Sequence, residues 1–349
     1  MTAAVVDLYS DTHSKPSPAM RKAMAEAEVG DEQAFEDPTV NRLCEMTAAL
    51  LGKAAAVFLP SGTMCNQVAF RVHCKPGDEI ILDRTAHPLN SESGGPAALS
   101  ACATRPLDGV RGIFTAEQVR QAIAPRGRRH APRSRVLEVE NTANAGGGTV
   151  WPIDKVREVT EVAHQHGLVT HLDGARLLNA VVASGTPAAE YGACFASLWI
   201  DLSKGLGCPI GGVLAGSTAF IEDAWFYKQQ LGGAMRQAGI VAAAGIYALE
   251  HNIERLAEDH ENARHFAELI ADIEGIELVY DTVDTNIVFF DVSGTNMTAV
   301  QVRDRLREGH GIKIGASGQT RMRAVTHLDV DRAGVERAAK ALRAVALGE

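Results

Sequence analysis

Residues 168–208 read LVTHLDGARLLNAVVASGTPAAEYGACFASLWIDLSKGLGC. A mostly apolar run ends on Asp173 and turns through Gly174-Ala175-Arg176 into the helical pattern LLNAVV. A second apolar run, Ser197 to Leu202, ends on Ser203-Lys204-Gly205, with Lys204 31 positions after Asp173. Two buried strands with a helix between them predict a parallel pair joined by a crossover. Parallel strands open their carboxyl ends into one crevice, the usual ligand site of open α/β sheets. A lysine packed there among small residues (GLGCPIGG) suits a Schiff base with an aldehyde cofactor. An acid on the same edge suits a pyridinium nitrogen. Pyridoxal phosphate (PLP) needs both. Asp-Gly is also a common turn step, but here the chain continues into a helix and not into a hairpin partner.

Outward from this stretch, GGVLAG (211–216) continues the sheet, reversed if it is a hairpin partner. Upstream, AAAVFLP (54–60), DEIILD (78–83), CATRPL (102–107) and RVLEVEN (135–141) read as strands. Helical segments alternate with them at MCNQVAFRVH (64–73), 115–124 and PIDKVREVTEVAHQHG (152–167). This rhythm predicts an α/β fold: a mostly parallel central sheet with helices on both faces. Pro16 and Pro18 introduce a helix from Ala19 to Ala27 with Ser17 as its cap. Val40, Leu43, Met46 and Leu50 repeat at helical spacing. From Gly239 to Asp272 the pattern is nearly all helical and reads as a bridge between domains. Past it, IELVYD, TNIVFFDV and MRAVTHLDV alternate with helices at 298–308 and 332–346, a smaller α+β unit. The expected division is an arm (1–15), a large cofactor-binding domain (16–245) and a small C-terminal domain (246–349).

The 349 residues are 46% hydrophobic and 22% charged, ordinary for a globular protein. A net charge of −9 argues against nucleic acid as a partner. The cluster Arg126-Gly127-Arg128-Arg129 reads as a solvated loop. No apolar run is long enough to span a bilayer, and MTAAVVDLYSD lacks the features of a secretory signal. The six cysteines form no CxxC pair, which suits reduced thiols of a cytoplasmic protein and no metal centre. His164 and His166 read as a solvated helix end.

Several residues outside the opening stretch carry chemistry. In VFLPSGTMCNQ (57–67), Ser61-Gly62-Thr63 stands between strand and helix, where it either cups a phosphate or merely caps the helix. His87 follows a strand, with Glu92 five positions later; its imidazole can stack on a cofactor ring, shuttle a proton, or simply be exposed. Arg176 can reach a ring hydroxyl or a substrate carboxylate. Arg323, in a strand pattern of the smaller unit, suits bidentate carboxylate capture or a surface salt bridge. Lys53, Lys75 and Lys155 read as surface residues, and Lys228 lies in the mixed helical segment FYKQQ. His130 sits in a basic loop with no further context.

Taken in order, DLYSDTHSKPSPAM (7–20), GDEQAFEDPTVNRL (30–43), FLPSGTMCNQ (58–67), AHPLNSESGG (86–95), HLDGARLLNA (171–180), LSKGLGCPIGGVLAG (202–216), GGAMRQAGI (232–240), RLAEDHENA (255–263), TN (285–286) and RAVTHLD (323–329) resemble the low-specificity L-threonine aldolases. These are fold type I PLP enzymes of the β-eliminating lyase and aldolase branch, and the matches span nearly the whole chain. The resemblance implies retro-aldol cleavage of an L-β-hydroxy-α-amino acid, of threonine, allo-threonine or phenylserine type, to glycine and an aldehyde. It implies Lys204 as the cofactor's Schiff-base lysine, Asp173 at the ring nitrogen, and Ser61, Gly62 and Thr63 at the phosphate. His87 would stack on the ring and handle the β-hydroxyl proton, alone or through a water shared with His130. Ser10, Arg176 and Arg323 would bind the substrate carboxylate, with Glu92 beside them. Lys228 and Arg236 would reach a neighbouring subunit's site, in a homotetramer built of dimers. The chain departs from the family pattern at Tyr9, His13-Ser14, Ala34-Phe35 and Ala143. Tyr9, His13 and Phe35 are expected to line the substrate mouth and favour a bulkier side chain. Transaldolase, β-elimination or transamination chemistry on the same fold is the nearest alternative, and a PLP-binding protein without turnover a more distant one.

Overall fold

The computed structural model describes residues 5–125 and 127–348; Arg126 of the basic loop lies outside them. The chain opens with a short strand, β1 (Val6–Leu8). Seven strands then form one sheet: β2 (Ala55–Leu59), β3 (Asp78–Asp83), β4 (Ala103–Leu107), β5 (Arg133–Glu140), β6 (Val169–Asp173), β7 (Ser197–Asp201) and β8 (Gly212–Gly216). Their order across the sheet is β2-β8-β7-β6-β5-β3-β4. Only β8 runs against the others, antiparallel to β7 on one side and to β2 on the other. β7 is buried along its whole length and β6 from Thr170 onward, as expected of strands covered on both faces.

The covering helices present apolar stripes to the sheet. In the Ile153–Gln165 helix, Val156, Val159, Thr160 and Ala163 are buried, the i, i+3, i+4, i+7 spacing of one helical face. Each such aliphatic side chain contributes about 1.5–3 kcal/mol on full burial, so packing outweighs intrinsic propensity here. The helix at Pro18–Ala25 starts as read from the sequence, with Ser17 Oγ accepting from Met20 N–H at 3.1 Å.

A second sheet is built from β1 with β9 (Glu277–Leu278), β10 (Ile287–Asp291), β11 (Ile312–Ala316) and β12 (Arg321–Val325). Its order is β1-β11-β12-β10-β9. Helices Leu256–Ala271, Ala299–His310 and Arg332–Leu347 contribute Phe266, Val302 and Leu342 to its separate core.

Two sequence expectations are corrected. The N-terminal arm is not free: Val6 and Leu8 pair in parallel with Ile312 and Ile314, so residues 6–8 belong to the second sheet. The expected bridging helix is two helices, Gly239–His251 and Leu256–Ala271. Between them the buried Asn252 turns its side chain to Leu206, donating from Nδ2 to the carbonyl at 2.8 Å. That tertiary bond ends the first helix without the Gly or Pro that would announce a break.

No helix among the described residues is long and apolar enough to cross a membrane. The paired β5 and β6 set Glu140 beside Asp173, and β6 and β7 set Leu172 beside Leu198. Asp173 thus stands at the carboxyl edge toward which β7 delivers Lys204.

Candidate active site

A cavity of about 390 Å³ opens at this edge, where the ends of β2, β3, β5, β6 and β7 converge. Of the residues singled out in the sequence, it is lined by Ser10, Ser61, Gly62, Thr63, His87, Asp173, Arg176, Lys204 and Arg323. Glu140, Asn144, Trp199 and Asp201 also line it, although no sequence signal had marked them for the site.

Lys204 follows β7 by three residues, and its Nζ donates to Asp201 Oδ2 at 2.7 Å. The other Asp201 oxygen accepts from Ser203 N–H at 2.7 Å and Ser203 O–H at 2.8 Å. Ser14 O–H donates to the Lys204 carbonyl at 2.8 Å, tying the N-terminal segment to the lysine turn.

Asp173 is buried and accepts from Asn66 Nδ2 at 2.8 Å and from Ala175 N–H at 3.0 Å. No cation hydrogen-bonds to it among the described residues. Burial pushes its carboxyl above the ordinary value, against the pull of His87 and Asn66. A buried carboxylate in this state gains from a cationic N–H donor, and a protonated pyridine nitrogen is one.

Ser61 caps the Gly62–His73 helix, its Oγ accepting from Met64 N–H at 3.2 Å. The first-turn N–H groups beyond it have no intrahelical partner and form an anion cup. A Cβ on Gly62 would lie 2.2 Å from the Trp199 ring, so only glycine lets the helix start this close to the sheet. Lysine, an acid with no cation hydrogen-bonded to it among the described residues, and helix N-terminus, all in one cavity, fit PLP.

His87 Nδ1 lies 2.8 Å from Glu92 Oε1. A carboxylate only accepts, so Nδ1 carries the hydrogen and Nε2 is left as the basic nitrogen. That bond to Glu92 pushes the imidazole above its ordinary value; burial opposes it, and Asp173 and Glu140 add to it. Glu92 is held in turn by Asn66 Nδ2 at 2.8 Å and Gln67 Nε2 at 2.6 Å. The sequence placed Glu92 with the substrate; the structure places it behind His87, outside the cavity lining. His87, Glu92 and Asp173 offer ligand atoms within 4.8 Å of one another, but Asn66 and Gln67 already occupy the carboxylates.

The two arginines differ. Arg176 donates from Nε and Nη2 to the two oxygens of Asp11, each at 2.7 Å, and both side chains are buried. Arg323 lies on β12 and makes no ion pair among the described residues. Its Nη1 donates to Asn144 Oδ1 at 3.3 Å and its Nη2 to the Tyr9 carbonyl at 3.3 Å. Burial, and then Arg176, disfavour its charge. Ser10 bonds Thr12 through its hydroxyl at 2.8 Å.

Other expected site residues lie elsewhere. Tyr9 and His13 stack on each other at 5.0 Å, and His13 turns back to Asp7 at 3.1 Å. Phe35 is 62% exposed and packs edge-on against Trp225, bordering a different hollow. Ala143 is buried in a bridge to Thr149, against Gly112. His130 is exposed and accepts from Arg128 Nε at 3.2 Å, outside the cavity lining. Nearby, a hollow of about 890 Å³ walled by Arg120, Arg128, Arg129, Arg133 and Arg135 shares no residue with the strand-edge cavity. Lys228, expected to reach a neighbouring subunit's site, is fully buried within its own chain, paired with Glu32 at 2.9 Å and lying over Trp225. Arg236 is exposed and paired with Asp31 at 2.7 Å.

Comparison with known proteins agrees with this geometry. Residues 7–294 match the beta-eliminating lyase family. The low specificity L-threonine aldolase of Escherichia coli is 41% identical over 94% of this chain and 95% of its own. The low-specificity L-threonine aldolase 1 of Arabidopsis thaliana is 38% identical over 96% and 94%. Among solved structures, the threonine aldolase of Leishmania major shares the fold with a TM-score of 0.82, at 18% identity, over 97% of this chain and 99% of that one. The chain is therefore a member of the beta-eliminating lyase family and, within it, of the low-specificity L-threonine aldolases.

Proposed function

We propose that the protein is a PLP-dependent lyase that cleaves the Cα–Cβ bond of L-β-hydroxy-α-amino acids, releasing glycine and an aldehyde. One observation carries this reading: a single cavity joins Lys204 and Asp173 to His87, backed by Glu92, and to a guanidinium that has no anion among the described residues. Lys204 would hold the cofactor aldehyde, Asp173 its ring nitrogen, and the N-terminus of the Gly62–His73 helix its phosphate. When bound, PLP supplies the electron sink that stabilises charge left on Cα.

The chain's own residues do the rest. Arg323 takes the substrate carboxylate by charge-assisted hydrogen bonds, with Ser10 and the remaining Nη1 of Arg176 beside it. This fixes the orientation of the Cα–Cβ bond, and orientation decides which bond breaks. His87 Nε2 accepts the β-hydroxyl proton, and Glu92 steadies the imidazolium that forms. The strand edge and the N-terminal segment enclose the site, which strengthens each of these interactions. Threonine, allo-threonine and phenylserine types are the substrates this arrangement suits. The same reading makes the protein a cytoplasmic homo-oligomer, in keeping with six free thiols. Lys204→Ala is the direct test: it should abolish both glycine release and the visible absorbance of bound cofactor, and retained turnover would overturn the reading.

A further inference from the structure

Asn66 lies one turn into the Gly62–His73 helix, fully buried, between the two acids of the site. Its Nδ2 donates to Asp173 Oδ2 and to Glu92 Oε1, each at 2.8 Å. Its Oδ1 accepts from Trp199 Nε1 at 2.7 Å and faces His171 Nε2 at 3.1 Å. An indole N–H only donates, so the atom turned to Trp199 is the oxygen, and the NH₂ group is committed to the acids. His171 agrees with this orientation. Burial, and then His73, push its pKa to about 3, so the ring is neutral. With its hydrogen on Nε2, its Nδ1 accepts from Ser197 O–H at 2.8 Å. One amide therefore gives its two hydrogens to the acid assigned to the ring nitrogen and to the acid behind His87.

We propose that Asn66 is a positioning residue that lets Asp173 and Glu92 stay charged side by side, so that the electron sink and the base operate in one site. The proposal rests on the roles given above to Asp173 and His87. Both carboxylates are buried, and they offer oxygens within 4.8 Å of each other. Like charges at that range disfavour one another, and hydrogen bonds to the charged forms offset this. The other charged or titratable groups facing them are His87, Lys204 after β7, Glu138 and Glu140 on β5, and Cys65 beside Asn66. The β5 acids oppose the two charges, Lys204 is turned to Asp201, and His87 is neutral when it acts as base. The neutral donors carry the difference. A proton taken up by Asp173 removes the charge opposite the ring nitrogen. A proton taken up by Glu92 points at His87 Nδ1, which puts the ring's own hydrogen on Nε2 and leaves no lone pair for the β-hydroxyl proton.

Asn66→Leu removes both donors with little change in size. The first readout is denaturant unfolding of the cofactor-loaded protein from about pH 5 to 8. Losing the donors raises the apparent folded pKa of the pair, and a raised folded carboxyl pKa means stability lost as pH rises. The deficit of the variant should therefore widen toward pH 8. The stranded Trp199 and His171 N–H groups cost the same throughout this range, so a purely structural role gives a flat deficit. The second readout is the pH–rate profile of glycine release. Its acidic limb should move to higher pH, with kcat/KM down by about 10- to 100-fold at the acidic end and by less at the alkaline end. A flat deficit, or a limb that stays or moves to lower pH, would overturn the proposal. If Asn66→Leu does not fold, Asn66→Thr offers one hydroxyl donor in place of two and should show the same widening by a smaller amount; a flat deficit there counts against the inference. A wild type that releases no glycine would instead sink the functional reading, while the unfolding measurement still decides whether Asn66 sustains the two charges.

Discussion

The two sheets each bring one arginine to the same cavity, and the surroundings give them different work. Arg176, at the end of β6, is gripped on two nitrogens by Asp11, which Asn286 Nδ2 also holds at 3.2 Å. Arg323, on β12 of the five-stranded sheet, has only neutral oxygens for partners among the described residues. A buried cation with a full bidentate anion is already satisfied and ties the N-terminal segment to the large sheet. A half-buried cation without one is poised for an anion that arrives as a ligand. The residue type is the same in both; what separates them is Asp11.

Asp11→Asn should give the largest effect, because it leaves Arg176 buried with no charge opposite. Breaking such a pair costs about 3–5 kcal/mol, measurable by denaturant unfolding of the cofactor-loaded protein. Burial pushes the Asp11 carboxyl up, but Arg176 outweighs it and holds the group far below the ordinary 3.8. A depressed folded pKa contributes its full stability above the unfolded value, and that stability is lost progressively as pH falls from there through the folded one. The deficit of the variant should therefore be constant from about pH 5 to 8 and narrow steadily as pH falls below the ordinary 3.8. A loss below about 1 kcal/mol, the scale of a surface pair, would show that the Arg176 pair is not structural.

Arg323→Met should do the reverse, sparing stability and weakening substrate. Truncating one partner of a charged contact costs about 2–4 kcal/mol in binding, so KM for the amino acid should rise by roughly 30- to 1,000-fold. Stability should hold, since the substitution removes a charge near Arg176 and strands no anion. If both variants lost stability alike and KM did not move, the distinction between the two arginines would fail.

The sequence showed one side of this comparison better than the other. β6 and β7 are apolar runs with a helix between them, and the turn residues after them sit where such strands deliver them. Asp173 and Lys204 were legible for that reason. The N-terminal clasp was not. β1 has three residues, and its partner β11, itself unmarked in the sequence, lies more than 300 positions away. No local pattern carries such a pairing. Asp11, Glu140 and Asn144 were missed because each acts on a residue whose nearness the fold creates (Arg176, His87 and Arg323); Asp201, three positions before Lys204, was missed although its partner is local. The Lys228 environment was not legible either: its partner Glu32, buried with it, lies nearly 200 positions upstream. Tyr9, His13 and Phe35 were read from family pattern as mouth residues, and the cavity lining includes none of them.

The seven-stranded sheet also holds an ion pair of its own, and it yields the smallest effect. His87 opens the short helix His87–Asn90 and Glu92 follows it, so the partner acid comes from the same sheet edge as the base, whereas Asp11 crosses over from the other sheet. To accept a proton His87 must be neutral, and Glu92 raises its pKa above the ordinary 6.5. The acidic limb of kcat/KM should therefore lie above that value in the wild type. Glu92→Gln removes the largest cause of the rise, so the limb should move to lower pH. At high pH the variant should be slower, by roughly tenfold or less, because a less basic imidazole is a weaker proton acceptor. Near pH 6 the gap should close, since a larger fraction of the variant is neutral there. A pH–rate profile of glycine release over this range reads both ends at once. A limb that stays in place would mean that some group other than His87 takes the hydroxyl proton.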